Sequence, residues 1–201
     1  MADRLLVFAR APVAGAVKTR LQPALGAAGA AALHRRLLER TVATACAAGV
    51  APVELWCAPD RSHPAFAELA GRGDVTLRNQ PSGDLGRRMH DALHDVLDGA
   101  GRAVLVGCDC PALTGDDLRA AFAALDAHDV VLGPAEDGGY VLVGARRVAR
   151  PLFDGVEWGG PRVLRQTRAR LVALGWRWHE LRTFWDVDRP ADLPRLREVG
   201  L

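Results

Sequence analysis

Short apolar runs recur along the chain, separated by longer stretches in which apolar residues return every three or four positions. Residues 4–9 (RLLVFA), 53–58, 75–79, 103–107, 130–133, 140–145 and 176–181 have the length and β-branched or aromatic content of strands. The intervening stretches predict helices. One covers 27–49, with Leu33, Leu37 and Leu38 on one side and Gly49 as its stop. Others cover 64–70, 85–99 and 161–174. Thr114 and Asp117 form a capping-box start for a helix running to 127. A turn at 137–139 divides two of the strands, and Pro190 opens a last helix. Alternating strands and helices predict an α/β sandwich of three layers, its mainly parallel sheet covered on both faces. Ligands then bind beyond the carboxyl ends of the strands.

Composition narrows this picture. A chain of 201 residues with 49% hydrophobic content has room for one core, so a single domain over 1–201 is expected. The net charge of +2 arises from 26 basic and 24 acidic residues interspersed, which argues against a nucleic-acid or membrane partner. The five-residue apolar run between Arg4 and Arg10 is too short for a signal core, and no later run approaches a membrane span. A cytoplasmic protein is expected. Cys46, Cys57, Cys108 and Cys110 are too few and irregular for a disulfide framework or zinc site, and are expected to be reduced and packed.

Four loops after predicted strands carry candidate chemistry. The first contains Pro12, Gly15, Lys18 and Arg20, and Lys18 is the only lysine in the chain. Lysine places a compact charge on a flexible stem, suited to reaching a phosphate, and Gly15 allows close approach of backbone N–H groups. The loop is not a P-loop, which needs glycine where Pro12 and Val17 stand. The second loop, Gly107-Cys108-Asp109-Cys110-Pro111, puts a carboxylate at a strand end, where it can hold a divalent ion. Thr114 is the better cap for the next helix, which frees Asp109.

The third loop offers Glu136 and Asp137 beside Gly138 and Gly139, two acids able to position or deprotonate an acceptor hydroxyl. A plain hairpin turn accounts for Asp137 and Gly138 without any function. In the fourth loop Asp186 and Asp188 alternate along an extended segment; one is a candidate cap for the helix at Pro190 and the other a second metal ligand. Two further signals favour packing over chemistry. His90 and His94 have zinc-helix spacing but lack the glutamate between them and a third ligand, and are read as exposed helix surface. Trp176 and Trp178 alternate along a strand and are expected to pack on one face.

The runs FARAPVAGAVKTRL (8–21), SGDLGRRM (82–89), GCDCPALT (107–114), HDVVLGPAEDGGYVLVG (128–144) and DVDRPADL (186–193) together resemble the bacterial glycosyltransferase-like DUF2064 family. The resemblance covers nearly the whole chain in order. It implies a GT-A-type, nucleotide-diphospho-sugar transferase fold with a mixed sheet and a site assisted by Mg2+ or Mn2+. By motif position, Lys18 and Arg20 would contact nucleotide phosphates, with Pro12 and Gly15 in the same loop. Asp84 and Arg88 would lie near the nucleotide. Asp109 would take the place of a D-x-D metal ligand, completed by Asp186 or Asp188. Two departures stand out: the D-x-D is incomplete, because Cys110 follows Asp109, and Trp158-Gly159-Gly160 replaces the usual Trp-Ser-Thr.

The first loop is also similar to that of 2-phospholactate guanylyltransferases, and both reaction classes need a metal and cations on phosphates. The leading expectation is a glycosyltransferase-like enzyme taking a nucleotide-sugar and a small-molecule acceptor. Lys18 would stabilise the leaving diphosphate, Asp137 would be the acceptor base, and Glu136, Gly138 and Gly139 would line the substrate. The alternatives are a nucleotidyltransferase that joins an NTP to a small phosphorylated substrate, and a non-catalytic nucleotide sensor. A homodimer is compatible with all three readings.

Overall fold

A computed structural model describes residues 3–201. Among these, seven strands form one sheet in the order β3-β2-β1-β4-β6-β5-β7. They are β1 (Arg4–Arg10), β2 (Val53–Ala58), β3 (Val75–Asn79), β4 (Ala103–Gly107), β5 (Val130–Pro134), β6 (Tyr140–Ala145) and β7 (Trp178–Glu180). All neighbours pair in parallel except β6, which runs antiparallel to both β4 and β5. The α-helices that cover the faces are α1 (Gln22–Ala48), α2 (Pro64–Ala70), α3 (Leu85–Leu97), α4 (Gly115–Ala124) and α5 (Val163–Leu174). This is the expected α/β/α sandwich with a mixed, mainly parallel sheet.

The two-residue period of β1 shows how the layers assemble. Leu5, Val7 and Ala9 face one core, packed against Leu38 and Val42 of α1, Phe66 of α2 and Leu118 of α4. Leu6 and Phe8 face the other, with Met89 and Leu93 of α3 and Leu164 and Leu171 of α5. Both faces are apolar because both are covered, which is why the strands read as continuous hydrophobic runs. Trp176 and Trp178 both pack against the second core.

Several boundaries and environments differ from expectation. Within α1, Gly26 takes a non-helical conformation (φ 69°, ψ 169°), so the uninterrupted helix runs from the predicted residue 27. The last helix is a 3-10 helix, Pro190–Val199, with Pro194 inside it; proline lacks the donor that a regular α-helix would need there. Neither Asp186 nor Asp188 caps it: Asp192 Oδ2 accepts from the N–H groups of Asp188 (2.9 Å) and Arg189 (2.7 Å). His90 is not exposed. It is buried against Phe153 with its Nδ1 2.7 Å from Asp91 Oδ1, because α3 turns that face to the second core. The cysteines are free, and all but Cys46 are buried. Among the described residues no helix is long and apolar enough to cross a membrane.

Antiparallel β6 brings the β5–β6 turn back to the edge where β1 and β4 end. In register, Phe8 of β1 pairs with Gly107 of β4, and Val106 with Leu142 of β6. The loops after β1, β4 and β5 therefore share one rim of the sheet.

Candidate active site

Two backbone features shape the loop after β1. Gly15 (φ 87°) and Lys18 (φ 48°, ψ 40°) both take left-handed conformations, and Lys18 is the one described non-glycine residue that does so. This turns the lysine inward, where its side chain is only 4% exposed. Its Nζ lies 2.7 Å from Asp109 Oδ1 and donates to the Val187 carbonyl. Val187 N–H in turn donates to the Asp109 carbonyl (2.9 Å). The loops after β1 and β4 and the segment before the last helix are thus clasped at one ammonium. Lysine has three donors and these contacts use two of them. An arginine fork is broader and planar, whereas this position presents one compact charge to Asp109 and the Val187 carbonyl.

Asp109 is tuned by what surrounds it. Burial alone would raise its pKa, but Lys18 and His34 outweigh that and hold the carboxyl well below the ordinary range. His34, buried on α1, has its Nε2 3.0 Å from the Arg10 carbonyl and its Nδ1 3.7 Å from Asp109 Oδ1. The sequence patterns above do not single out His34. Its signal was a polar side chain within the apolar face set by Leu33 and Leu37.

Across from this clasp stand two more carboxylates. Asp186 is pushed up to about 6, first by burial and then by the charges of Asp137 and Asp109. Asp137 Oδ1 accepts from Gly139 N–H (2.8 Å), which fixes the turn and leaves Oδ2 free of that bond. Gly138 (φ 88°) is required here: a Cβ would lie 2.2 Å from the Pro161 carbonyl oxygen. Asp137 and Asp186 both line a cleft of about 180 Å³ with Leu85, Met89, Tyr140 and Trp158. Asp188 points elsewhere and pairs with exposed Arg20. Glu136 also lies apart, in a two-pronged ion pair with Arg195 (2.7 and 3.1 Å) over the Trp185 ring.

The SGDLGRRM stretch supplies a second cationic element. Asp84 caps α3, accepting from Arg87 N–H (2.8 Å). Arg88 donates to Gln80 Oε1 (3.1 Å), while Gln80 Nε2 donates to the carbonyls of Ala9 (3.1 Å) and Trp56 (2.9 Å). Gln80 thereby fastens Arg88 to the ends of β1 and β2. The Arg88 pKa is lowered by burial and by the nearby charge of Arg10, and an anion between the two guanidiniums would relieve that repulsion. Neither Arg10 nor Gln80 stood out in the sequence.

Two groupings could be asked to hold a metal. Ligand atoms of His34, Cys108 and Asp109 lie within 4.8 Å of one another. Burial raises the Cys108 thiol far above its ordinary value, so this set lacks the thiolate a soft ion needs. Asp109 and Asp186 fit better. Their hard oxygens suit Mg2+ or Mn2+, and Asp186, raised first by burial and then by the charges of Asp137 and Asp109, would gain from a cation beside it.

A family model described as "Uncharacterized protein conserved in bacteria (DUF2064)" matches residues 41–160. The chain belongs to the DUF2064 family. This DUF2064 chain is 31% identical to a protein of Desulfovibrio desulfuricans G20, provisionally described as a nucleotide-diphospho-sugar transferase. That likeness has a TM-score of 0.89 and covers 98% of this chain and 87% of that one. The DUF2064 fold is shared at lower identity with a cytidylyltransferase from Leptospira borgpetersenii (12% identity, TM-score 0.61, covering 98% and 85%). It is shared likewise with Rv0371C of Mycobacterium tuberculosis H37Rv in complex with manganese (20%, TM-score 0.52, covering 98% and 99%). No curated protein matches this DUF2064 chain.

Proposed function

We propose that this DUF2064 protein is a metal-dependent, cytoplasmic transferase acting as one domain. It binds a nucleotide-diphospho-sugar and moves the glycosyl group to a small-molecule acceptor. The observation that carries this reading is the apposition of the Lys18-clasped Asp109 to Asp186 and Asp137 at the carboxyl rim of the sheet. The similarity to the Desulfovibrio protein supports the donor class, and the manganese complex of the mycobacterial relative supports a divalent ion.

Asp109 and Asp186 would hold Mg2+ or Mn2+, which when bound supplies positive charge for the diphosphate oxygens. Arg10, Arg88 and Arg20 lie on the rim as partners for the diphosphate, with the Lys18 ammonium behind them. As the bond from the sugar carbon to the diphosphate breaks, its electron pair stays on the departing oxygen, where these cations stabilise it. The acceptor oxygen forms the new bond to that carbon and gives its proton to Asp137, whose Oδ1 is anchored by Gly139 N–H.

The test is a thermal-shift series with UDP-, GDP-, ADP-, CDP- and dTDP-sugars beside the matching NTPs, with and without Mg2+ or Mn2+. A nucleotide-sugar stabilising most, and only with metal, supports glycosyl transfer. Preference for an NTP, followed by pyrophosphate release with a phosphorylated substrate, would replace it with nucleotidyl transfer.

A further inference from the structure

The rim divides by charge. Arg10, Arg88 and the Lys18 ammonium gather beside the ends of β1 and β2. Among the described residues, the 180 Å³ cleft beyond Asp109 has carboxylates and aromatic rings in its walls and no lysine or arginine. Arg162, next to the cleft-lining Val163, is paired with Glu157, and Arg87 and Arg88, between Leu85 and Met89 on α3, are held by Asp91 (3.5 Å) and by Gln80 (3.1 Å).

The cleft wall is also fixed in shape. Trp158 stacks on Phe153 (6.4 Å between centroids), meets Tyr140 edge-on (6.1 Å), and lies so close over Gly86 that a Cβ there would be 2.6 Å from its Nε1. An indole held on three sides gives an apolar face against which a ring can pack, while Asp137 and Asp186 accept hydrogen bonds from hydroxyl or ammonium groups.

On the basis of the transferase reading above, we infer that this cleft receives the sugar ring of the donor and selects an uncharged or ammonium-bearing ring over one carrying a carboxylate or phosphate. A carboxylate placed there meets Asp137 with no lysine or arginine in the cleft wall to offset it, and an ion held by Asp109 and Asp186 would already have its charge matched by those two carboxylates and the diphosphate. Arg10 and Arg88, which would meet the diphosphate, do not line the cleft, and Asp137 is not among the diphosphate's partners, so selection against an anionic ring is separable from nucleotide affinity.

Calorimetric titration in Mg2+ tests this. First, UDP, GDP, ADP, CDP and dTDP are ranked. The tightest is then compared as its glucose, glucosamine and glucuronate conjugates (UDP-glucose, UDP-glucosamine and UDP-glucuronate where uracil is preferred). The glucuronate conjugate is expected to bind about tenfold more weakly than the other two, the effect of roughly 1.4 kcal/mol of like-charge repulsion. Asp137→Asn should narrow that gap, and because asparagine keeps the oxygen that accepts from Gly139 N–H, the turn survives. Equal or tighter binding of the glucuronate conjugate, or a gap that Asp137→Asn does not narrow, overturns the inference and leaves nucleotide binding standing. Failure of all five diphosphates to bind overturns the transferase reading and this inference with it.

Discussion

Lys18 Nζ stands 2.7 Å from Asp109 Oδ1, and the ammonium side of that pair is almost wholly enclosed. The lysine is therefore a strut as well as a candidate ligand: it holds the carboxylate ionised and aimed at the rim. This gives the chain's single lysine a physical reason, since one compact buried charge meets both Asp109 and the Val187 carbonyl.

Replacing Lys18 by Met keeps the apolar stem and removes the charge. Nucleotide affinity in Mg2+ should fall about 10- to 100-fold, in line with roughly 1.5–3 kcal/mol for a charge-assisted hydrogen bond. Lys18→Arg should not restore it, because the fork is broader and planar. Titration calorimetry on both variants decides, and recovery by arginine would show that the slot is not selective.

Asp186 makes stability depend on pH in an unusual direction. Its carboxyl is raised from 3.8 to about 6. Ionisation therefore costs the folded state nothing below about 4, an increasing amount between about 4 and 6, and the full amount above. Asp186→Asn should stabilise the metal-free protein at pH 8 by about 1–2 kcal/mol, the shift discounted for solvent relaxation, and leave it unchanged at pH 3.5. Added Mg2+ should raise the wild-type Tm at pH 8 more than that of the variant. Urea and thermal melts at both pH values test this.

Arg20 separates binding from stability. It pairs with Asp188 while 59% exposed, and such surface pairs contribute about 0–1 kcal/mol. Arg20→Ala should leave the urea midpoint within error and weaken diphosphate binding about threefold or more, the equivalent of ~0.7 kcal/mol. A variant that unfolds early but binds normally would reverse that assignment.

Gly138 should tolerate no side chain. With φ at 88° and the Pro161 oxygen 2.2 Å from where a Cβ would stand, Gly138→Ala must shift backbone on one side of the cleft. A loss of about 2–4 kcal/mol is expected from strain and overpacking together, read from urea denaturation.

The architecture was legible because the strands β1, β4, β5 and β6 are apolar on both faces and the helices on one. The alternation of Leu5, Leu6, Val7 and Phe8 between two cores is the two-residue period read directly. The rim was legible only as far as residue type and loop position carry information. Asp186 and Asp188 look equivalent along an extended segment, and only packing shows that one faces Asp137 while the other takes Arg20. Glu136 adjoins Asp137 in sequence but is drawn to Arg195, a partner 59 residues away. His34, Arg10 and Gln80 act through contacts to carbonyls and neighbouring charges, which leave no periodic trace.

The clasp at Lys18 spans 169 residues, because its third member is the Val187 carbonyl. β1 leaves the ribosome before the segment around Val187, so the clasp stays open while the strands between them are already emerging. A nascent chain can therefore build most of its sheet before Lys18 and Asp109 are locked in place, and the geometry of the rim is among the last features of the fold to be set.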